Sequence, residues 1–195
     1  KTSSAGYSVS DRKELLKKIN AIQKAVTEQT GKKCPSVYLL HGDLSDEEMN
    51  SLYNHRKVKA MVSFTKGEGF GRPLLEFSFV GKPVIAPKWS GQLDFLNEKF
   101  TTLLPGTLED VHSSVVNDWF MKDARWFKVD YMYAMRVLQA VHDKYDMYKK
   151  AAMKQKEYVE KNFTFEDMVN KFRKILDEVP VAGQVELKLP KLKKI

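Results

Sequence analysis

Three glycines and two glutamates stand together in KGEGFGRPLLEFSFVGKPVIAP, residues 66–87. Gly67, Gly69 and Gly71 alternate, and seven residues separate Glu68 from Glu76. Glycine lets a backbone come close to a ligand and tolerates positive φ. The N–H groups that open a following helix suit an anion, most often a phosphate. The spacing G-x-G-x-G is neither the dinucleotide fingerprint nor a P-loop, so the glycines alone mark no more than a tight strand-to-helix turn. The two carboxylates narrow the chemistry. A carboxylate offers only acceptors in a forked arrangement, which fits vicinal hydroxyls of a ribose or hydroxyls of a sugar. Glu68 lies in the loop, and Glu76 falls near the end of the first helical turn, able to point back to the same opening. The ligand this implies is a nucleotide joined to a sugar.

Other chemistry-bearing residues are fewer. His41 and Gly42 stand where an apolar run ends, and Ser90 and Gly91 follow another, so all four are candidate ligand contacts. The histidines His41, His55, His112 and His142 have no metal-ligand spacing with one another or with Cys34, so no metal site is expected. Ser63 is not in a nucleophile elbow.

The elements that must position these residues alternate. Leu15, Ile19, Ile22 and Val26 recur at helical spacing after a start capped by Ser10 or Asp11, and Gly31 and Pro35 end that helix. SVYLLHG reads as a buried strand over residues 37–41. Ser45 and Glu48 form a capping box for the next helix. Residues 58–64 read as a second strand and KPVIAP as a third. Between them lie the glycine loop and a helix from Arg72 with Pro73 in its first turn. GQLDFL is a short helix and FTTLLPG an edge strand. From Thr107 the pattern turns helical: DVHSSVVNDWF is one helix. Residues 131–161 are a long one striped by Tyr131, Met135, Leu138, Val141 and Tyr145. Another is capped by Thr164, with Met168, Phe172 and Ile175 on one face. Such alternation predicts an α/β fold: a Rossmann-like parallel sheet flanked by helices, with a helical C-terminal region. Ligands of such sheets bind beyond the carboxyl ends of the strands, where the glycine loop lies.

The pattern from Glu68 to Glu76 resembles the donor-binding signature of retaining GT-B glycosyltransferases (glycosyl transferases group 1, family 4-like), E-G-F-G-x-P-x-x-E-A-x-A-x-G-x-P-V-I-A. Glu68, Gly69, Phe70, Gly71, Pro73, Glu76, Gly81, Pro83, Val84, Ile85 and Ala86 fit it, while Phe77 replaces the usual alanine. The layout is similar over residues 11–178 and the match is dense over residues 40–95. The resemblance implies one half of a GT-B fold, with residues 1–178 as the nucleotide-sugar-binding C-terminal domain and 179–195 as a tail. It implies that Glu76 binds the ribose, and that Glu68, the catalytic residue, contacts the transferred sugar. Backbone groups of Gly69, Phe70 and Gly71 would lie near the diphosphate, and Gly42 near the base. Arg12 and Lys13, at the first helix start, match the family's phosphate-binding Lys, and Lys1 would stand in for its Arg. The reaction moves the sugar of a nucleoside-diphosphate sugar to an acceptor hydroxyl with retention. It requires no metal or other cofactor, and the acceptor, unidentified here, is held by an N-terminal domain.

Composition bounds these readings. The chain has 195 residues, 43% of them hydrophobic, and a net charge of +8. That charge suits an anionic ligand, nucleic acid or an acidic membrane surface, so peripheral membrane contact is compatible with it. No nucleic-acid-binding motif is present, and carboxylates in the cleft would repel a phosphate backbone, so no nucleic acid is expected as partner. A single cysteine excludes an intrachain disulfide and points to a reducing, cytoplasmic setting, and neither a transmembrane segment nor a signal peptide is expected. The first residue is not Met and the opening is loop-like, which reads as a chain excised from a longer one, with its N-terminal acceptor domain missing. A non-catalytic nucleotide-sugar-binding or scaffold domain is the first alternative these residues leave open, and a nucleic-acid-binding protein, prompted by the +8 charge, is the second.

Overall fold

The computed structural model describes residues 8–117 and 121–178. Lys1 and the tail 179–195 lie outside them. The chain divides into two compact units, Lys1–His55 and Arg56–Ile195.

In the first unit, helix α1 runs Val9–Thr30 and helix α2 runs Asp46–Asn54. The cap of α1 is Ser8, not Ser10 or Asp11. Asp11 instead completes a capping box, its carboxylate accepting from the Ser8 N–H at 3.0 Å and hydroxyl at 2.7 Å. Gly31, left-handed at φ 65°, ends the helix where the sequence placed its end. Ser45 and Glu48 cap α2 as expected. Residues 37–41 form no strand; only His41 makes an isolated bridge. An apolar run becomes a buried strand only where a ladder and a covered face exist, and here Tyr38 is 89% exposed, with Val37 and Leu40 also open.

The second unit holds a three-stranded parallel sheet in the order β1 (Met61–Val62), β2 (Val84–Pro87), β3 (Thr102–Leu104). Met61 pairs with Val84 and Ile85 with Thr102. All of β2 is buried, the pattern of a central strand covered on both faces. Helix α3 (Arg72–Ser78) connects β1 to β2, and a 3-10 turn at Gly91–Asp94 connects β2 to β3. Helices α4 (Tyr131–Asp143), α5 (Tyr145–Asn162) and α6 (Phe165–Glu178) complete the helical C-terminal region. The fold is thus mixed α/β, with a parallel sheet flanked by helices, as the alternation predicts.

Three expectations are corrected. The region from Thr107 is not helical: β4 (Gly106–Asp110) and β5 (Arg125–Val129) form an antiparallel pair, with Leu108 opposite Phe127. Of DVHSSVVNDWF, Ser113–Val115 is a 3-10 turn, and residues 118–120 lie outside the described residues. Residues 131–161 are two helices, separated at Lys144 (φ −120°, ψ 37°). The stripe is out of phase as well, except at Val141. Ala134, Val137 and Val141 are the buried side chains of α4, while Tyr131, Met135 and Leu138 are exposed. The core explains that phase: Ile85, Leu104, Phe127 and Val129 cluster with Ala134, Val137 and Val141, so the small and β-branched face packs on sheet and hairpin. Thr164 caps α6 through reciprocal bonds with Asp167, and Met168, Phe172 and Ile175 share an exposed apolar face.

Candidate functional site

Because β1, β2 and β3 are parallel, their carboxyl ends share one edge, and the segments leaving that edge are 63–71, 88–91 and 105–106. The first is the glycine loop. Ser63 extends the ladder, its N–H donating to Ile85 at 2.9 Å. The Thr65 hydroxyl donates to the Gly67 carbonyl at 2.9 Å, which folds the loop on itself. Gly71, at φ 87°, is the left-handed N-cap residue of α3; its carbonyl accepts from the N–H groups of Leu74 and Leu75. A side chain at that φ would be strained, so the turn into α3 needs glycine. The N–H groups of Gly69, Phe70 and Gly71 donate to no acceptor among the described residues. Three consecutive donors are therefore unspent in this loop.

Glu68 and Glu76 are both half-buried. Glu76 Oε1 meets Arg72 Nε at 2.9 Å across one turn of α3. The sequence marks Arg72 only as the helix start, although its place four residues before Glu76 is the spacing at which helical ion pairs form. Phe70 turns its ring onto buried Phe95, centroids 5.1 Å apart, so its contribution to the loop is its backbone.

Ser90 and Gly91, expected as ligand contacts, hold the backbone of the glycine loop. The Ser90 hydroxyl donates to the Glu68 carbonyl at 2.6 Å and accepts from the Glu68 N–H at 3.1 Å. The Gly91 N–H donates to the same carbonyl at 3.2 Å. Ser90 does this at φ 76°, the only non-glycine residue with positive φ among the described residues. Holding Glu68 therefore carries backbone strain. A Cβ at Gly91 would lie 2.0 Å from the Gly69 carbonyl oxygen, so the two loops approach as closely as glycine allows.

The hairpin β4–β5 forms a wall that the sequence did not disclose. It leaves β3 at the same edge, and the Phe127 N–H donates to the Lys66 carbonyl at 3.0 Å. Lys66 Nζ sits 3.2 Å from the centroid of Trp126. Trp89 stacks on Phe127 with planes 4° apart and centroids 5.8 Å apart. Adjacent Trp126 and Phe127, read as part of a helical region, were the available signal.

In the first unit, Arg12 and Lys13 are exposed on the first turn of α1. His41 is half-buried, and Gly42 has φ 121°. The carboxyl of Asp11 is held below its ordinary value, first by the Ser8 hydroxyl, then by the Ser8 N–H, with a smaller contribution from His41 charge.

Among the described residues no group of His, Cys, Asp and Glu is arranged to hold a metal ion, and no helix is long and apolar enough to cross a membrane. Comparison of the chain with protein-family models and with curated proteins finds no match.

Proposed function

We propose that this chain is the donor-binding half of a retaining, GT-B-type glycosyltransferase, working in the cytoplasm on a nucleoside-diphosphate sugar. Its acceptor would be bound by a domain N-terminal to it. The observation that carries the reading is the glycine loop at the carboxyl edge of the parallel sheet, with three unspent N–H donors between Glu68 and Glu76. Fixed N–H dipoles aimed at a diphosphate stabilise it as a leaving group, and they need no reorganisation if the loop is held beforehand. The Ser90 clamp provides that holding. Glu76 accepts from the ribose hydroxyls, and the Arg72 guanidinium orients its carboxylate before ligand arrives. Glu68 acts at the sugar, where charge develops.

The two glutamates should fail differently. Glu76→Ala removes a contact made equally in ground and transition state. It should weaken binding of the bare nucleoside diphosphate by about 1.5–3 kcal/mol, the range for hydrogen bonds to a charged group. Glu68→Ala should bind the bare diphosphate like the parent. Joined to an acceptor domain, it should lose kcat far more than affinity. A thermal-shift panel of UDP-, GDP- and ADP-sugars identifies the base, and calorimetry then separates the variants. Parental diphosphate binding by Glu76→Ala would remove the ribose assignment. Parental turnover by Glu68→Ala would remove its catalytic role, and no turnover by the parent joined to an acceptor domain would leave a nucleotide-sugar-binding domain without catalysis.

A further inference from the structure

We propose that Trp89 is the platform on which the transferred sugar lies, making it a specificity-determining residue beside Glu68; this rests on the glycosyl-transfer reading of the glycine loop. Trp89 leaves the carboxyl end of β2, and its neighbours on both sides are anchored. The Lys88 N–H donates to the Leu104 carbonyl at 2.8 Å, and Ser90 grips the Glu68 backbone through two hydrogen bonds. The ring is fixed as well, parallel to Phe127, which is only 6% exposed and is tied by its own N–H to the Lys66 carbonyl. Yet Trp89 remains 40% exposed. An indole placed merely to cover Phe127 would gain most by burying itself. This one is immobilised with much of its surface open, one residue from the clamp on Glu68.

A rigid, open indole suits a pyranose. Such a ring carries C–H groups on a face and hydroxyls around its rim. The C–H face lies on the aromatic surface, and the rim hydroxyls seek acceptors such as a carboxylate. The juxtaposition therefore divides the work. The glycine-loop donors take the diphosphate, Glu76 the ribose, and Trp89 with Glu68 the hexose.

The test compares each nucleotide with its sugar conjugate on the full chain: UDP with UDP-glucose and UDP-galactose, GDP with GDP-mannose, and ADP with ADP-glucose. Calorimetry is run on the parent, Trp89→Phe, Trp89→Leu and Trp89→Ala, with thermal midpoints confirming that each variant folds. The parent should prefer one conjugate over its bare nucleotide. Trp89→Leu and Trp89→Ala should lose that preference by roughly two- to tenfold, while the bare nucleotide binds as before. Trp89→Phe, which keeps a flat ring, should retain most of it. Equal losses for nucleotide and conjugate, or no loss in either, would overturn the platform and leave the donor site standing. A parent that binds nucleotides but gains nothing from the sugar would also overturn it. A parent that binds none of the nucleotides removes the donor reading itself, and the platform with it.

Discussion

Gly91→Ala tests whether the glycine loop is held by close backbone packing. The added methyl carbon would stand 2.0 Å from the Gly69 carbonyl oxygen, 2.7 Å from the Gly69 carbonyl carbon and 3.0 Å from Phe70 Cα. All three are backbone atoms, so no rotamer change relieves the overlap. Ordinary contact begins at 3.4 Å, so the nearest pair falls about 1.4 Å short and the two segments must part. Parting them stretches the Gly91 N–H bond to Glu68, already 3.2 Å, past useful range. Overpacking of this kind costs about 1–3 kcal/mol, and the lost bond adds about 1. For a chain of this size that lowers the thermal midpoint by about 5–15 °C. Nucleotide binding should fall too, because the unspent donors move with Gly69. Gly69→Ala is the control. Nothing lies within 4 Å of a Cβ there, and its φ is not positive, so its midpoint should stay within about 2 °C of the parent. Its nucleotide affinity should still drop, since a methyl would intrude where the ligand approaches the backbone. Calorimetry and a thermal scan on both variants decide the matter. A Gly91→Ala protein that melts and binds like the parent would show that the two loops part freely, and the clamp argument would be wrong.

Two further outcomes follow from the same geometry. Gln155, 2% exposed on α5, accepts from the Asn97 N–H and the Thr101 hydroxyl, each at 3.1 Å, and donates to the Phe95 carbonyl at 2.6 Å. Gln155→Leu keeps the volume but strands those groups, and should cost roughly 2–4 kcal/mol in denaturant unfolding; a change under about 0.5 kcal/mol would mean the segment re-pairs with water. Asp167 is held below the ordinary aspartate value of 3.8, first by the Thr164 hydroxyl and then by the Thr164 N–H. A depressed folded value means its stabilisation of α6 is present above pH 3.8 and disappears as pH falls through the lower folded value. The parent should lose helical circular dichroism over that window more steeply than Asp167→Ala; superimposable acid titrations would refute the cap.

The sheet was legible where local and tertiary preferences agree. Val84, Ile85 and Ala86 form an unbroken apolar run after a Gly-Lys-Pro turn, and they are the buried central strand. The hairpin was not legible, because residues 111–124 intervene between its strands, far beyond the two to five residues of an ordinary hairpin loop. Without a short turn, the pairing of Thr107 with Lys128 has no sequence signal, and the Lys128–Glu109 ion pair at 3.0 Å becomes visible only in the structure. The break at Lys144 has neither proline nor glycine to announce it. Tyr145 donates to the Lys59 carbonyl at 3.2 Å and Lys149 to the Gly81 carbonyl, so tertiary bonds redirect the chain. Gln155 was hidden for a related reason: a glutamine inside a lysine-rich helix reads as solvent-facing until its buried partners are known.

The glycines of the loop separate the demands of the fold from those of a ligand. Gly71 is required by its own φ of 87°, and Gly91 by the backbone atoms it touches; both are explained without any ligand. Gly67 and Gly69 are different. Neither has a positive φ, and a Cβ on either would meet nothing within 4 Å. Folding alone gains nothing from glycine there, and its entropic cost argues for a larger residue. Close approach of a bound group to the backbone would account for both. In that case the N–H donors left unspent at Gly69 and Phe70 and the missing side chain at Gly69 describe one surface, with the Ser90 clamp holding it in place before the ligand arrives.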